Sequence, residues 1–399
     1  MKASAEQNTI ESKRLNIGDQ GIAAPDLAEV TQQLEAFRGQ RVAVAMSGGV
    51  DSAVAGLLLH RAGAEVIGLS LRLHDADPYN PLAPRACCAP DDLADARHVA
   101  EGIDVPFYVI DSREEFEAGV VKPFVDEYLA GQTPNPCVGC NSFVKLGLLA
   151  KRAKALGCVA LATGHYARLR KAENGGVHLF AGEDKNKDQS YFLFGTAPEI
   201  LDSLLFPLGA HTKDLVRDEA LNSGLPVAHK LESQEVCFVG GAGAGDYVLN
   251  RPEAAGDRKG KVVDINRSPL GDHDGVAKFT IGQRRGLGLG THKRLFVLNI
   301  DAESREVQVG DEEHLMKHWL LAERASWPAG IPAQEFRADT KIRYRGRPSP
   351  ASVRLMEDGK ILVRFDEPVR AVAPGQAVVF YRGDEVLGGA WILESGNDE

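Results

Sequence analysis

The stretch VAVAMSGGVDSAVAGLLL, residues 42–59, predicts how the first half of this chain folds. Its first residues are apolar and β-branched, as in a buried strand, and the Ala- and Leu-rich run after Asp51 is typical of a helix. Two glycines between them allow a sharp turn that exposes backbone N–H groups at the positive end of the helix. Such a turn favours an anion, above all phosphate. A tight turn that binds nothing could have the same glycines.

The following residues continue this alternation of strands and helices. Buried-strand patterns occur at residues 65–73, 106–111 and 158–166, and helical patterns occur at 90–102 and 143–157. Strands separated by helices predict an α/β fold with a parallel sheet. Ligands of such sheets gather at the carboxyl ends of the strands, where the glycine turn also lies.

The pattern changes after about residue 240, where a glycine-rich passage is followed by short predicted β segments at residues 261–265, 278–283, 295–301, 306–310 and 340–346. Tight turns such as Asp358-Gly359, a good hairpin signal, separate the last of them. We therefore predict a small central domain and a C-terminal β-barrel-like domain. The predicted division is a flexible extension at 1–37, an α/β domain at 38–240, a central domain at 241–318 and the barrel at 319–399.

Composition excludes several classes of protein. The 399 residues contain no apolar run of membrane-spanning length, and the first 37 lack the apolar core of a secretory signal, so we expect a cytoplasmic protein. A net charge of −10 gives no global support for nucleic-acid binding. Contacts with nucleic acid would have to come from basic islands, such as KIRYRGR at 341–347 and QRR at 283–285.

Six cysteines in a chain of this length are better read as thiols than as a disulfide framework. Cys140, in GQTPNPCVGCN (131–141), comes just before a predicted helix, whose N-terminus favours the thiolate. A zinc half-site and a redox CxxC are the alternatives, but no second CxxC is present. Cys237, taken alone, is typical of a buried core cysteine. Cys87, Cys88 and Cys158 are predicted to be structural, and Cys158 opens a buried strand.

The string SGGVDS (47–52) resembles the PP-loop of the ATP pyrophosphatases, which grips the pyrophosphate end of ATP. Five further motifs follow in order: TPNPCVGCN (133–141), ATGHYAR (162–168), NKDQSYFL (186–193), SQEVCFVG (233–240) and TIGQRRGLG (280–288). Together they resemble the tRNA 2-thiouridylases of that class, and the resemblance covers roughly residues 40–395.

The resemblance implies thiolation at C2 of uridine 34, the wobble base, in the tRNAs for Lys, Glu and Gln. ATP, with Mg²⁺, would adenylate the C2 oxygen and release diphosphate. Cys237 would carry a persulfide supplied by a sulfur-relay protein and an upstream cysteine desulfurase, and Cys140 would be the active-site nucleophile. The sulfur would reach C2 directly or as sulfide released when Cys140 attacks Cys237, and the second route leaves a disulfide.

The resemblance also implies binding residues, taken one position at a time. Those for ATP are Ala45, Met46, Ser47, Gly48, Gly49, Val50, Asp51, Ser52, Leu71 and Gly164. Those for tRNA are Asn135, Pro136, Cys137, His165, Lys187, Asp188, Gln189, Arg343, Tyr344 and Gln376, the central domain also contacting the tRNA.

Three alternatives stay open. Some members of the family have Asp where this chain has Cys137. The three thiols of Cys137, Cys140 and Cys237 could hold an iron–sulfur cluster, as an alternative to the persulfide. A PP-loop amide-forming ligase would need neither of these cysteines nor tRNA. A non-catalytic RNA-binding protein would not need the intact SGGVDS string.

Overall fold

A computed structural model describes residues 24–74, 90–172, 176–231, 236–240, 243–256, 258–290 and 293–397. The helices are α1 (Leu27–Glu35), α2 (Val50–Arg61), α3 (Pro90–Gly102), α4 (Arg113–Phe116), α5 (Lys122–Leu129), α6 (Pro136–Gly139), α7 (Leu146–Ala155), α8 (Pro198–Leu201), α9 (Lys213–Asn222) and α10 (Ala244–Leu249). Two wider π-helical segments, Glu117–Val121 and Cys140–Lys145, connect neighbouring helices, and short 3₁₀ turns lie at Ser190–Phe192, Pro252–Ala254, Val276–Lys278 and Glu312–Leu315. No helix in these ranges is long and apolar enough to cross a membrane.

The strands form three sheets. They are β1 (Arg41–Ala45), β2 (Glu65–Arg72), β3 (Phe107–Asp111), β4 (Ala160–Thr163), β5 (Ala167–Lys171), β6 (Val177–Ala181), β7 (Leu204–Leu205), β8 (Gly260–Val263), β9 (Pro269–His273), β10 (Phe296–Asp301), β11 (Glu306–Gly310), β12 (Met316–Ser326), β13 (Glu335–Lys341), β14 (Ser349–Leu355), β15 (Ile361–Arg370), β16 (Ala377–Arg382) and β17 (Glu385–Gly396).

The first sheet is parallel throughout, in the order β3-β2-β1-β4-β7, which confirms the predicted α/β fold. Its central strand is β1, whose side chains alternate between the two faces as strand geometry requires. Val42 and Val44 pack into one hydrophobic cluster with α2, and Ala43 packs into another on the opposite face. The loop after β1 therefore leaves the sheet at the middle of its carboxyl edge.

Part of the predicted flexible extension is a helix. α1 begins after Asp26, whose carboxylate accepts a hydrogen bond from the backbone N–H of Glu29, while the Glu29 carboxylate accepts one from the N–H of Asp26. This reciprocal capping box satisfies two otherwise unpaired donors and stabilises the first turn. Val30 and Leu34 are buried. The prediction is therefore wrong for Leu27–Glu35; residues 1–23, like Cys87 and Cys88, lie outside the described ranges.

The central sheet has the order β10-β11-β8-β9, and three of its strands match predicted β segments. The segment 278–283, also predicted as β, is instead the end of a 3₁₀ turn at Lys278 followed by a loop. Here the Gln283 side chain accepts a hydrogen bond from the N–H of Thr280, and Gly282 has φ +84°, so the backbone turns locally. Gly282 and Gln283 still exchange two backbone hydrogen bonds with Val297 of β10, at 2.8 and 2.9 Å, and the turn at Gly282 keeps the pairing this short.

The C-terminal strands close into a barrel, as predicted. Six strands follow the order β12-β15-β14-β13-β16-β17, and pairing of β12 with β17 closes the ring. Outside the ring, the β5–β6 hairpin of the first domain adds to the same sheet through two register pairs, Phe180 with Glu385 and Leu179 with Val386. The barrel and the α/β domain therefore share hydrogen-bonded strands.

Arg168, on β5, ties this junction together. Its side chain is buried and donates to the carbonyl of Ala181 at 2.8 Å, to Glu183 at 3.2 Å and to Asp384 at 3.0 Å. It also reaches the carbonyl of Pro25, 3.3 Å away, just before α1. One guanidinium thus connects the N-terminal segment, the hairpin and the barrel.

We expect Arg168→Met to lower the free energy of unfolding by about 3 kcal/mol, because removal of one partner leaves buried polar groups unpaired. Urea unfolding measures the change. The matched control is Arg41→Met, whose pair with Glu65 is exposed and should contribute less than about 1 kcal/mol. Equal losses in the two variants would contradict this role for Arg168.

Candidate nucleotide and thiol site

The loop between β1 and α2 has the backbone geometry that its glycines predicted. Gly48 has φ +72°, and a Cβ on it would lie 2.1 Å from the backbone oxygen of Asp92. Gly49 is the extended N-cap of α2, so the first-turn N–H groups of the helix face the loop. The positive end of α2 and these N–H groups together form a site for an anion.

Two serines hold the loop in this shape. The hydroxyl of Ser52 accepts a hydrogen bond from the backbone N–H of Ser47 at 3.1 Å and donates to the carbonyl of Gly49 at 3.0 Å. The two hydroxyls are 3.3 Å apart. These bonds fix the loop before any ligand binds.

Asp51 is held by two residues that the sequence did not single out. Lys213, at the start of α9, contacts both carboxylate oxygens at 2.7 and 2.8 Å, and the hydroxyl of Tyr166 donates to one of them at 2.8 Å. The Lys213 side chain is only 7% exposed. The ammonium group of Lys213 therefore compensates the negative charge of Asp51, which lies next to a loop suited to an anion.

Lys230 stabilises the other side of the loop. Its ammonium group donates to the carbonyl of Gly48 at 3.0 Å and forms ion pairs with Asp92 and Asp95 of α3. The glycine turn is thus tied to α3 as well as to α9.

The end of β4 lies against the first turn of α2. A Cβ on Gly164 would lie 2.7 Å from both the carbonyl carbon of Asp51 and the nitrogen of Ser52, so only glycine fits. Next to it, Nδ1 of His165 is 2.8 Å from the hydroxyl of Thr163. Burial and then the nearby charge of Lys145 lower the pKa of His165 to about 3, so the ring is neutral at neutral pH.

This pKa predicts a loss of stability in acid. Unfolded His165 takes up a proton near its ordinary pKa of 6.5, whereas the folded ring stays neutral to about 3. The contribution is fully present above 6.5 and is lost as the pH falls between these values, with a slope of at most about 1.4 kcal/mol per pH unit. Urea unfolding of the wild type and His165→Gln at pH 7 and 5 measures it. The variant should lose less stability, and identical losses would contradict the prediction.

The helix that carries the candidate nucleophile begins earlier than the sequence predicted. It starts at Pro136, with Asn135 as N-cap, and continues through the π-helical segment Cys140–Lys145 into α7. Proline is favoured in the first turn, because its missing N–H would be unpaired there. The predicted position of Cys140 at the helix N-terminus is therefore wrong: Cys140 is buried in the second turn, and the exposed Cys137 lies in the first.

Cys237 packs against the hydrophobic cluster that contains Cys140. It is half-buried, and no disulfide joins the two thiols. The next residue, Phe238, anchors this segment by edge-to-face contacts with Phe116, Phe124 and Tyr247, at centroid distances of 5.6, 5.1 and 5.5 Å. Such contacts are favourable beyond the burial of apolar surface.

Two of the residues implied for tRNA binding hold their own loop instead. Asp188 is 5% exposed, and its carboxylate accepts hydrogen bonds from the N–H groups of Gly182 and Ser190 at 3.1 and 3.0 Å. The side-chain oxygen of Gln189 accepts one from the N–H of Tyr166 at 3.0 Å. Burial of Asp188 argues against direct contact of its side chain with tRNA in this conformation.

Of the three candidate residues in the barrel, Gln376 contacts the segment that leads to Cys140, and the other two contact different parts of the chain. The Gln376 amide donates to the carbonyls of Thr133 and Pro134, and the ring of Tyr344 lies 4.4 Å from that of Phe192. Arg343 donates to the carbonyl of Arg370 at 2.9 Å.

Leu71 and the thiols bear on ligand binding in different ways. Leu71 is 2% exposed, at the carboxyl end of β2, where it is part of the hydrophobic core.

Within the described ranges, no three His, Cys, Asp or Glu side chains are grouped to hold a metal ion. Cys137, Cys140 and Cys237 therefore do not form a ligand set for an iron–sulfur cluster in this conformation.

Comparisons with known proteins agree with this arrangement. Family models described as tRNA methyl transferase HUP domain, tRNA methyl transferase PRC-barrel domain and Aminomethyltransferase beta-barrel domain match residues 40–241, 252–311 and 317–392. The tRNA-specific 2-thiouridylase MnmA of Geobacter metallireducens is 48% identical over 360 residues, covering 88% of this chain and 96% of that protein. The protein of the same name from Geotalea uraniireducens is 47% identical, covering 90% and 96%.

Among solved structures, the chain is similar to the NMN synthetase of Francisella tularensis, with 17% identity and a TM-score of 0.31 over 52% of this chain and 76% of that one. The NH3-dependent NAD synthetase of Campylobacter jejuni gives the same identity and TM-score, over 53% and 81%. These likenesses are too slight to bear on function.

Proposed function

This chain belongs to the tRNA-specific 2-thiouridylase family, and we propose that it replaces the C2 oxygen of uridine 34 with sulfur in the tRNAs for Lys, Glu and Gln. The observation that carries the proposal is the approach of the thiol-bearing helix to the nucleotide loop. Cys140 lies in the hydrophobic cluster that contains Ala43 of β1, Cys237 packs against that cluster, and the nucleotide loop follows β1 directly. ATP and thiols would thus meet at one base.

The nucleotide loop would activate the base. Gly48, Gly49 and the first turn of α2 would bind the pyrophosphate end of ATP, with Ser47 and Ser52 fixing the loop. The C2 oxygen attacks the α-phosphorus, diphosphate leaves, and a poor leaving group becomes AMP. Bound Mg²⁺ would neutralise phosphate charge. Both oxygens of the loop carboxylate, Asp51, already contact Lys213 at 2.7 and 2.8 Å, so the ion would be held mainly by the phosphates of ATP unless that ion pair opens.

The two cysteines would supply the sulfur. In one route, the terminal sulfur of a Cys237 persulfide attacks C2 and expels AMP. The Cys140 thiolate then attacks the Cys237 sulfur, and the bond between that sulfur and the transferred sulfur breaks. In the other, the same attack releases sulfide first, and sulfide attacks C2. Both routes reduce the transferred sulfur and oxidise two thiols to a Cys140–Cys237 disulfide. Each turnover then needs two electrons from an external reductant.

Basic surfaces outside the loop would hold the tRNA. A cavity of about 320 Å³ in the central domain is lined by Arg284, Lys293 and Arg294, among others. Positive side chains at such a site can bind backbone phosphates, and an unstacked wobble base can be reached by a protein pocket. We further propose a cytoplasmic location, and a persulfide-donor protein charged by a cysteine desulfurase as partner.

The test is direct. Protein purified without oxygen is incubated with ATP, magnesium, a persulfide donor and unmodified tRNA for Glu, and nucleosides are analysed by mass spectrometry. We expect 2-thiouridine at position 34, with AMP formed only when tRNA is present. A methylated base in its place, or AMP formed with ammonia and no tRNA, would contradict the proposal; the second result would favour an amide-forming ligase.

A further inference from the structure

A turn of the barrel is docked on the loop that leads into the cysteine helix. This barrel turn, residues 373–376, lies between β15 and β16, and the loop spans residues 131–135. The N–H of Thr133 donates to the carbonyl of Pro374 at 2.8 Å. In return, the Gln376 amide donates to the carbonyls of Thr133 at 2.8 Å and Pro134 at 3.3 Å. Three hydrogen bonds thus join two segments more than two hundred residues apart in the sequence.

The approach is close enough to require a glycine in the turn. Gly375 has φ +87°, and a Cβ on it would lie 3.0 Å from the nitrogen of Thr133 and 3.1 Å from Cβ of Gln132. Thr133 itself is buried. The two backbones are therefore packed directly against each other at Gly375.

A buried tyrosine lies beside the turn and near the last residue of the loop. The Tyr191 hydroxyl donates to the carbonyl of Ala377, the residue after the turn, at 2.9 Å, and the nearby Asn135 side chain partly offsets the effect of burial on the Tyr191 pKa. Tyr191 is fully buried, and this burial raises its pKa, so the hydroxyl keeps its proton. Asn135 is the N-cap of the helix that contains Cys137 and Cys140.

We propose that the barrel turn positions the cysteine helix, with Gln376 as a positioning residue that acts through Thr133 and Pro134. A loop without these bonds would leave the start of the helix, and with it Cys140, free to move relative to the nucleotide loop. The barrel then contributes to the geometry of the site before any tRNA binds. The consequence for thiolation rests on the proposed function, but the structural part does not.

The first test uses the full chain without tRNA or ATP. Hydrogen exchange of the peptide that covers residues 131–141 is followed by mass spectrometry in Gln376→Ala and in the wild type. We expect about tenfold faster exchange, the effect of losing a net hydrogen bond from a locally opening segment. The matched control is Gln334→Ala, because Gln334 also donates to a backbone carbonyl, that of Leu355, but within the barrel. It should leave exchange of residues 131–141 unchanged.

The second test separates positioning from tRNA contact. In Gln376→Ala, we expect the kcat of thiolation to fall about tenfold, with the KM for tRNA changed less than about twofold. Gly375→Ala should act in the same direction, because its Cβ would push the turn away from Thr133. Unchanged exchange in the absence of tRNA together with a raised KM would overturn the proposal and make Gln376 a tRNA contact. If the wild type thiolates nothing, the exchange measurement still decides the structural claim.

Discussion

Cys237→Ser and Cys140→Ser should each lower the rate of 2-thiouridine formation at least about a thousandfold, because each removes a sulfur whose bond-making step has no substitute. A hydroxyl cannot carry a persulfide, and it is a far weaker attacking group towards sulfur at neutral pH. Cys140 is buried in a hydrophobic cluster and Cys237 packs against it, so circular dichroism must first show that each serine variant keeps the fold.

The two variants should fail at different steps. After incubation with the persulfide donor, intact-protein mass spectrometry should find an added sulfur on Cys140→Ser and none on Cys237→Ser. The matched control is Cys158→Ser, because Cys158 is a buried thiol just before β4. This variant should thiolate tRNA at a rate within a few-fold of the wild type. Thiolation that survives either of the first two changes would reject the two-cysteine mechanism. A requirement for Cys137 together with iron would favour a cluster.

Gly48→Ala should raise the Kd for ATP by about ten- to a hundredfold. The φ of +72° is costly for any residue with a Cβ, and the added carbon would lie 2.1 Å from the backbone oxygen of Asp92. Because that obstacle is backbone in α3, it cannot rotate away like a side chain. Either the turn or α3 must move, and the loop loses the shape that its serines hold.

Titration calorimetry with ATP measures this effect, and circular dichroism checks that the fold is kept. The comparison variant lies in the same loop: Gly49 has φ −95°, and a Cβ there would meet only the Ser47 hydroxyl, at an ordinary 3.5 Å. Gly49→Ala should therefore weaken ATP binding much less. Equal Kd values for the two variants would mean that the loop adapts to a side chain at position 48, against our interpretation.

Local patterns account for what the sequence predicted correctly. A buried strand, a glycine turn and a helix lie within 42–59, so neighbouring residues suffice to predict the loop and the parallel sheet around it. The barrel was predictable for the same reason, since hairpins with turns such as Asp358-Gly359 are local.

Contacts between segments far apart in the chain account for one feature that the sequence did not predict. Lys213 begins a helix with several charges and reads as solvent-exposed, yet it neutralises Asp51 from 162 residues away. The start of the cysteine helix was missed for a different reason. The sequence predicts a helix from residue 143, whereas Pro136 opens it, which places Cys140 in its second turn and not before its N-terminus.

The β5–β6 hairpin gives the molecule a thermodynamic property that neither domain would have alone. The hairpin is covalently part of the α/β domain, but its strand β6 is hydrogen-bonded to β17 of the barrel. Unfolding of the barrel would therefore leave the backbone groups of β6 that face β17 without partners. The cost of opening one domain is thereby added to the cost of opening the other. Heating should give one cooperative calorimetric transition for both.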